Sequence, residues 1–254
     1  MNTLTIFRKE LISYFRSPIA YGVMAFFALI SGYFFYVAVV YFVQMGIQSS
    51  MMGQSQPMNV NESVIRPLFS NISVIGLFVI PMITMRLFAE EKRTGTIELL
   101  VTSPITDWEI ILGKWLAALA LYAAILAVTF LSMITLFVYG QPDWRPVAVG
   151  YLGLLLQGGC LLAIGTFIST CTRNQIVAGV AGFSVCLLLW VLDWVSSFQD
   201  SATAKVVAYM SVLQHFDSFA KGVLDSKDIV YYLSAIFIGL FLTGRALESL
   251  RWRA

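Results

Sequence analysis

The sequence predicts an all-α integral membrane protein with six membrane-spanning helices, and two features of its composition support this fold class. Of its 254 residues, 59% are hydrophobic and 12% are charged, which is about half the charged fraction of an ordinary soluble domain. The charges are also absent in blocks, and residues 115–139 contain no Asp, Glu, Lys or Arg. Lipid solvates such a surface directly, whereas a soluble fold of this size would have to bury all of it.

The apolar stretches give the positions of the six spans. A helix of about 20 apolar residues crosses the ~30 Å hydrocarbon core of a bilayer. Six stretches reach this length within one membrane domain over residues 1–254, near 19–43, 69–88, 113–139, 146–169, 176–196 and 229–247. The second stretch is the least regular, because four residues interrupt it: Asn71, Pro81, Thr84 and Arg86. We expect Pro81 to kink this helix and Arg86 to reach toward the membrane interface.

The basic residues predict the orientation in the membrane. If the N-terminus is cytoplasmic, five of the sixteen Lys and Arg residues fall on outer segments, and the other eleven fall on inner ones. An excess of Lys and Arg marks the cytoplasmic side, so both termini are predicted to be cytoplasmic. An even number of spans agrees with this orientation.

The N-terminal segment has the pattern of an amphipathic helix. Apolar residues recur at helical spacing while basic residues occupy the other faces, the two sets being Leu4, Phe7, Leu11 and Phe15, and Arg8, Lys9 and Arg16. Such a helix lies in the plane of the membrane interface. The alternative is an ordinary basic flank that only sets the topology, and the sequence leaves both interpretations open.

The inner segment between the second and third spans predicts two short helices separated by a break. Charges at its start are followed by an apolar run that includes Ile97, and Pro104 ends that element because a proline pushes the preceding residue out of helical geometry. Thr106 with Glu109 forms a capping box that begins the next helix. A short amphipathic helix under the membrane has the shape that docks into a groove on a cytosolic partner. The alternative interpretation is a solvated loop.

This segment also carries a family resemblance. Its sequence, AEEKRTGTIELLVTSPITDWEIILGKW, resembles the characteristic segment of ABC-2 type transporter permeases. Further segments are similar to one branch of that family, the gliding-motility (GldF-like) permease subunits: KELISYFRSPIAY, LFVIPMITMRLFAEE, CTRNQIVAG and HFDSFAKGVLDSKDIVYYLSAIFIGLFLT. The resemblance covers nearly the whole chain.

The resemblance implies a permease subunit in a bacterial inner membrane, whose energy comes from ATP and Mg bound by a separate ABC ATPase subunit. No cofactor is then expected on this chain. The expected partners are that ATPase, a second permease chain that is identical or related, and the lipid bilayer, with transport directed outward. The resemblance places ATPase coupling on a cytoplasmic coupling helix and the turn before it, at Glu90, Glu91, Arg93, Gly95, Thr96, Glu98, Leu99, Leu100 and Pro104. Gly95 suits a tight turn into that helix, because glycine reaches positive φ at little cost.

Two further segments are candidate sites. The resemblance extends to a second inner loop, formed by Arg173, Asn174 and Gln175. On the outer side, charged residues surround Gly222, and the predicted outer-face patch consists of His215, Asp217, Lys221, Asp225 and Asp228. One interpretation is a solvated turn with a helix that ends at Gly222. The other is a docking surface for a periplasmic or membrane auxiliary protein, of the kind that gliding-type systems are expected to have.

The sequence argues against an enzyme and against several ligand classes. A phosphate-binding G-x-x-x-x-G-K-[ST] loop is absent, since Trp108 stands where the first glycine would precede Gly113 and Lys114. A serine protease dyad would need His215, which lies in an outer segment without a G-x-S-x-G motif. One histidine and three cysteines without C-x-x-C spacing predict no metal site, and a net charge of +2 does not favour nucleic acid.

Two alternative functions come from other classes. A secondary transporter coupled to an ion gradient would need a proton-carrying carboxylate or histidine inside a span, and the third, fourth and sixth spans show none at their centres. A structural membrane anchor for an envelope machine, which transmits force without moving a solute, would use the same inner segment. The sequence leaves this second alternative open.

Overall fold

The computed structural model describes residues 2–51, 59–97, 105–140, 142–198 and 209–251. Its regular elements in these ranges are helices, and a π-helical turn at Asn61–Ile65 leads into the third of them. The helices are α1 (Asn2–Arg16), α2 (Pro18–Met51), α3 (Arg66–Thr84), α4 (Ala89–Thr94), α5 (Asp107–Val128), α6 (Phe130–Gly140), α7 (Trp144–Cys171), α8 (Gln175–Phe198), α9 (Val212–Ala220) and α10 (Ser226–Arg251).

Six segments of the described chain are long and apolar enough to cross a membrane. They are Pro18–Met51, Asn61–Thr94, Asp107–Gly140, Trp144–Cys171, Gln175–Leu192 and Ser226–Ser249. Each of them overlaps one of the stretches predicted from the sequence. The prediction of an all-α, multi-pass membrane protein with six spans is confirmed.

Two of the spans differ from their predicted form. The helix of the first span, α2, continues beyond its predicted end to Met51. Near this end the hydroxyls of Ser49 and Ser50 donate to the carbonyl of Gly46 at 3.0 and 2.9 Å. The third span is interrupted at Thr129, whose hydroxyl lies 2.6 Å from both the Leu126 carbonyl and the Tyr151 hydroxyl. A side chain that competes for a backbone carbonyl bends or breaks a helix, so the apolar run divides into α5 and α6.

The centre of the bundle is formed by α3 and α7. In their most apolar stretches 72% and 67% of residues are buried, against 17% for α2 and for α8. The second span, irregular in sequence, is thus the most buried one. One of its buried polar residues, Ser73, donates through its hydroxyl to Gln157 Oε1 of α7 at 2.7 Å. Polar groups inside a membrane bundle are found at such helix contacts, where another helix satisfies them.

Glycines on α7 allow the other helices to lie close to it. A Cβ atom on Gly158 would fall 2.1 Å from the ring of Tyr122 in α5, and one on Gly165 would fall 2.4 Å from Thr84 Oγ1 in α3. Small residues at helix contacts permit this approach in membranes, where dispersion contacts take over much of the role of the hydrophobic effect. Any larger residue at these positions would separate α7 from its neighbours.

Different short helices lie at the two ends of the bundle. At one end α1 lies against α5, and α4 contacts the end of α7 and the start of α8. At the other end α9 packs between α3, α7 and α10. We call these the inner and outer ends, following the orientation that the basic residues predict.

Candidate functional site

The start of α4 is fixed to the end of α7 through one hydroxyl. α4 has no side-chain cap of its own, and the first amides of a helix lack partners within the helix. The backbone N–H groups of Phe88 and Ala89 both donate to Ser169 Oγ of α7, each at 3.1 Å. Ser169 is fully buried, so this bridge is shielded from water.

A second bridge joins α4 to the same end of α7. The ammonium group of Lys92 donates to the backbone carbonyl of Thr170. The last carbonyls of a helix are unpaired and carry its negative dipole end, which favours a cation there. Since Ser169 and Thr170 are adjacent, both bridges attach α4 to the last turn of α7.

A buried ion cluster links α4 to α1 and α5. Lys114 Nζ lies 3.0 Å from Glu10 Oε1 of α1 and 2.7 Å from Glu91 Oε1 of α4. The Lys114 side chain is 2% exposed and its ammonium group lies 5.3 Å from the centre of the Phe88 ring. We call Glu10, Glu91 and Lys114 the Lys114 triad. Because ions are strongly disfavoured in an apolar environment unless they are paired, the triad constrains the relative positions of these three helices.

Close packing brings α1 near enough to form the triad. A Cβ atom on Gly113 would lie 2.8 Å from Cγ2 of Ile6 and 3.1 Å from the carbonyl oxygen of Thr3. Only glycine leaves room for α1 at this distance from α5. Of the four residues in the predicted apolar face of α1, Leu4 is 71% exposed, whereas Phe7, Leu11 and Phe15 are partly buried.

The turn after α4 and the cap before α5 agree with the sequence. Gly95 ends α4 with φ of 75°, the left-handed conformation that glycine adopts most easily. Thr106 N–H donates to Glu109 Oε2 at 3.1 Å and Glu109 N–H donates to Thr106 Oγ1 at 3.4 Å, which completes the predicted capping box. Both local predictions are confirmed. The remaining predicted coupling residues, Glu98, Leu99, Leu100 and Pro104, lie outside the described residues.

An exposed surface at the inner end combines two of the predicted segments. Arg93, Thr94, Gly95 and Thr96 are exposed at the end of α4, and Arg173 and Asn174 are exposed in the second inner loop. The amide oxygen of Asn174 accepts from the N–H of Ile176 at 2.9 Å, so that Asn174 caps α8 just before Gln175. Because α4 contacts both α7 and α8, the loop between those helices lies beside it. We call these six exposed residues the α4 surface.

The predicted coupling residues thus divide into two groups. Glu91 points inward and is 14% exposed in its side chain, so it holds α4 in place. Glu90 is partly buried as well, whereas Arg93, Gly95 and Thr96 face outward. No motif in the sequence indicated Glu10, Lys114 or Ser169 as site residues. Lys114 gave a usable signal, because an ionisable residue at the edge of an apolar span requires a partner.

The predicted outer-face patch is wrong for two of its residues. His215 and Asp228 are 4% and 1% exposed, and His215 Nδ1 lies 2.7 Å from Asp228 Oδ1. The other ring nitrogen, Nε2, lies 3.0 Å from the carbonyl oxygen of Tyr209. These residues join the inward face of α9 to the start of α10. The sequence suggested a surface position for both residues because charged residues surround Gly222 and were interpreted as one solvated group.

The exposed part of this patch gains a residue from α3. Arg66 Nη2 lies 2.9 Å from Asp217 Oδ1, and Lys221 pairs with the other oxygen of the same carboxylate, while Asp225 pairs with Lys227 at 2.9 Å. Burial opposes ionisation of Asp217, but hydrogen bonds from Lys221 and Arg66, with their charges, outweigh it and lower the pKa of this carboxyl. The predicted end of the helix at Gly222 is confirmed, with φ of 77°.

Comparison with known proteins gives a family match over most of the chain. Residues 4–226 match the family model described as ABC-2 family transporter protein. The chain is 27% identical over 174 residues to the probable multidrug ABC transporter permease YbhR of Escherichia coli (strain K12), covering 66% of this chain and 46% of that protein. It is 28% identical over 162 residues to the inner membrane transport permease YhhJ of the same organism, covering 62% and 41%. The chain therefore spans less than half the length of these curated relatives.

Proposed function

The chain belongs to the ABC-2 family of transporter proteins, and on that premise we propose that it is a membrane-spanning permease subunit driven by a separate ATPase chain. The observation that carries this proposal is the position of α4. Its end is exposed at the inner end of the bundle, while its other contacts bind it to α1, α5 and α7. An element with these properties can pass a force from a cytosolic partner to several spans at once.

In this mechanism the ATPase contacts the α4 surface and displaces α4 when ATP binds. The displacement reaches α7 through Ser169 and Thr170, and it reaches α1 and α5 through the Lys114 triad. The spans then move between two arrangements, which is a coupling of conformations without chemistry on this chain. ATP and Mg are bound by the partner ATPase, and the absence of a phosphate-binding loop motif from this sequence agrees with that division.

A second permease chain and the bilayer cover the exposed apolar helices. α2 and α8 are the least buried spans, and they expose large apolar residues such as Leu29 at 75% and Val180 at 61%. Lipid covers such surfaces, and so does another permease subunit. We propose that two permease chains, identical or related, associate in the inner membrane. The inner-membrane relative supports that location.

The finer assignments come from the sequence resemblance. Similarity to the GldF-like branch supports a role related to gliding motility and outward transport, and one relative is described as a probable multidrug permease. The outer ion cluster of Arg66, Asp217 and Lys221 is then a docking surface for a periplasmic or membrane auxiliary protein. This assignment predicts that the Asp217→Lys variant of the chain loses an outer partner protein and retains the ATPase.

Co-purification from native membranes tests the permease assignment. Tagged chain is extracted in mild detergent, and its stoichiometric partners are identified by mass spectrometry. We expect an ATPase with a phosphate-binding loop, and we expect the double variant Arg93→Glu with Arg173→Glu to lose it, because two charges of the α4 surface are reversed. The matched control reverses two other exposed arginines at the inner end, Arg16 and Arg245, and retains the ATPase.

The alternatives predict other results in the same experiment. If no ATPase accompanies the parent chain, the permease assignment is overturned and a secondary transporter or a structural anchor becomes the better account. If the ATPase remains with both double variants, the chain is still a permease subunit, but the α4 surface is not where the ATPase binds.

A further inference from the structure

A cavity of about 270 Å³ lies between α1 and the spans at the inner end. Its lining includes polar and apolar residues. The polar side consists of Glu10, Ser13, Tyr14, Arg86 and Glu90, and the apolar side consists of Ala20, Val23, Ile83, Leu121 and Ile125. Two further lining residues, Ile19 of α2 and Met82 of α3, are 43% and 44% exposed. Since both are apolar and belong to spans, the cavity opens toward the lipid-facing side of the bundle.

Arg86 has unused hydrogen-bonding capacity in the wall of this cavity. Its Nε atom is buried without a hydrogen-bond partner, and its guanidinium group makes no ion pair with any described residue. Glu10, a carboxylate in the same lining, is already paired, since its Oε1 lies 3.0 Å from Lys114 Nζ. A buried guanidinium nitrogen without a hydrogen-bond partner is costly, and the planar donors of a guanidinium group match the oxygens of a phosphate group. Arg86 therefore has the chemistry of an anion ligand.

Glu90 and Tyr14 complete the polar side. The carboxylate of Glu90 makes no ion pair within the described part of the chain, so it repels a second negative charge and attracts an ammonium group. Burial raises the pKa of the Tyr14 hydroxyl above its usual range, and the charges of Glu10, Glu90 and Glu91 raise it further. This hydroxyl stays neutral and is able to donate a hydrogen bond to a phosphate oxygen.

We propose that this cavity binds the headgroup of one zwitterionic phospholipid of the inner leaflet, with its phosphate on Arg86 and its primary ammonium near Glu90. The acyl chains leave the cavity between Ile19 and Met82 and continue along α2 and α3. Pockets for whole drug-sized ligands measure about 300–1,000 Å³, so a cavity of this volume fits a headgroup while the chains remain in the bilayer. Lipid binding at this site requires no ATPase, although Glu10 and Glu90 in its lining belong to α1 and α4.

The test is a lipid titration of the purified, delipidated full chain in detergent, followed by native mass spectrometry. The probes are dioctanoyl phosphatidylethanolamine, dioctanoyl phosphatidylglycerol and the tail-free headgroup glycerophosphoethanolamine. The parent should bind one phosphatidylethanolamine per chain, more tightly than phosphatidylglycerol. Arg86→Gln should weaken both lipids by roughly tenfold or more, because a charge-assisted contact is lost. Glu90→Gln should reduce the preference between the two lipids.

Two control variants distinguish lipid binding in the cavity from lipid binding elsewhere on the chain. Arg16→Gln removes an exposed arginine outside the cavity and should leave lipid binding unchanged. Val23→Phe fills the apolar side and should abolish binding with Arg86 intact, while the unfolding temperature shows that the chain is folded. Equal weakening by Arg16→Gln and Arg86→Gln, or retained binding in Val23→Phe, overturns the site. Tail-free headgroup that binds as tightly as the lipid, or equal affinity for the two lipids, overturns the proposed ligand.

Discussion

At the scale of single residues, the Lys114 triad has the largest energetic consequence among the interactions of α4. One ammonium group serves two carboxylates from different helices, and all three side chains are at most 15% exposed. Removing the cation leaves two carboxylates near each other, and the cation that remains within 4 Å of Glu10 is the exposed Lys9. Breaking a buried ion pair by deleting one member costs about 3–5 kcal/mol in proteins, and the slight exposure of both glutamates lowers the cost here.

We therefore expect Lys114→Met to lower the unfolding temperature of the detergent-solubilised chain, measured by tryptophan fluorescence. The control is Lys9→Met. Lys9 is 68% exposed and lies 3.8 Å from the same Glu10 carboxylate, so its loss should change the unfolding temperature little. Equal effects of the two substitutions would show that the triad has no special contribution.

Ser169 gives a second prediction at this scale. Ser169→Ala leaves the N–H groups of Phe88 and Ala89 without an acceptor, at a cost of about 1–3 kcal/mol for a buried unsatisfied group. Hydrogen exchange of residues 88–94 should become faster as α4 detaches from α7. Ser184→Ala is the control, because Ser184 is exposed and bonds only to the carbonyl of its own helix at Val180. Unchanged exchange in Ser169→Ala would contradict the bridge.

At the scale of elements, the position of α1 depends on Gly113. Gly113→Ala places a methyl group within 2.8–3.1 Å of Ile6 and Thr3, so α1 must move away from α5. We expect faster hydrogen exchange throughout residues 2–16 and weaker formation of the triad. Gly32→Ala adds the same methyl group to a site on α2 with no neighbouring atom within 4 Å. A similar response of α1 to both substitutions would mean that close packing does not place it.

The contact of α9 with α3 has a predicted pH dependence. Because the pKa of Asp217 is lowered in the fold, its contribution is present above the unfolded value of about 3.9 and is lost as pH falls through the folded value. The difference in unfolding temperature between the parent and Asp217→Asn should therefore be largest near neutral pH and shrink below about pH 4. Its size is limited, since Arg66 and Lys221 are 41% and 47% exposed, and high salt should reduce it. A difference that grows on acidification would contradict this sign.

At the scale of the whole molecule, the sequence predicts the class of fold and the order of spans better than their burial. Long apolar runs fix where helices cross the bilayer, but they do not tell which helix faces lipid, because both environments are apolar. Hence the second span, which contains Pro81 and Arg86, looked the weakest in the sequence and is the most buried. Thr129 likewise breaks the third span through a tertiary contact with Tyr151, which the local pattern does not contain.

The candidate site was predictable only in part, because local sequence patterns do not contain tertiary contacts. Gly95 and the Thr106–Glu109 box are local devices, and they appear where the pattern placed them. Ser169 contacts Ala89, which is 80 residues away in the sequence, and Glu10 contacts Lys114, which is 104 residues away. No local sequence pattern therefore marks Ser169 or Glu10. His215 and Asp228 were misplaced because the burial of this hydrogen-bonded pair depends on how α9 docks against α10.

Site-specific photo-crosslinking in native membranes tests whether an ATPase contacts α4. A photoreactive amino acid replaces Arg93, Thr94 or Thr96 on the α4 surface, or Lys9 or Arg245 at exposed sites of α1 and α10. The account predicts a covalent adduct with an ATPase from the three α4 positions and none from the two controls. Adducts only from Lys9 and Arg245, or no ATPase adduct at any position, would contradict the claim that an ATPase drives this permease through α4.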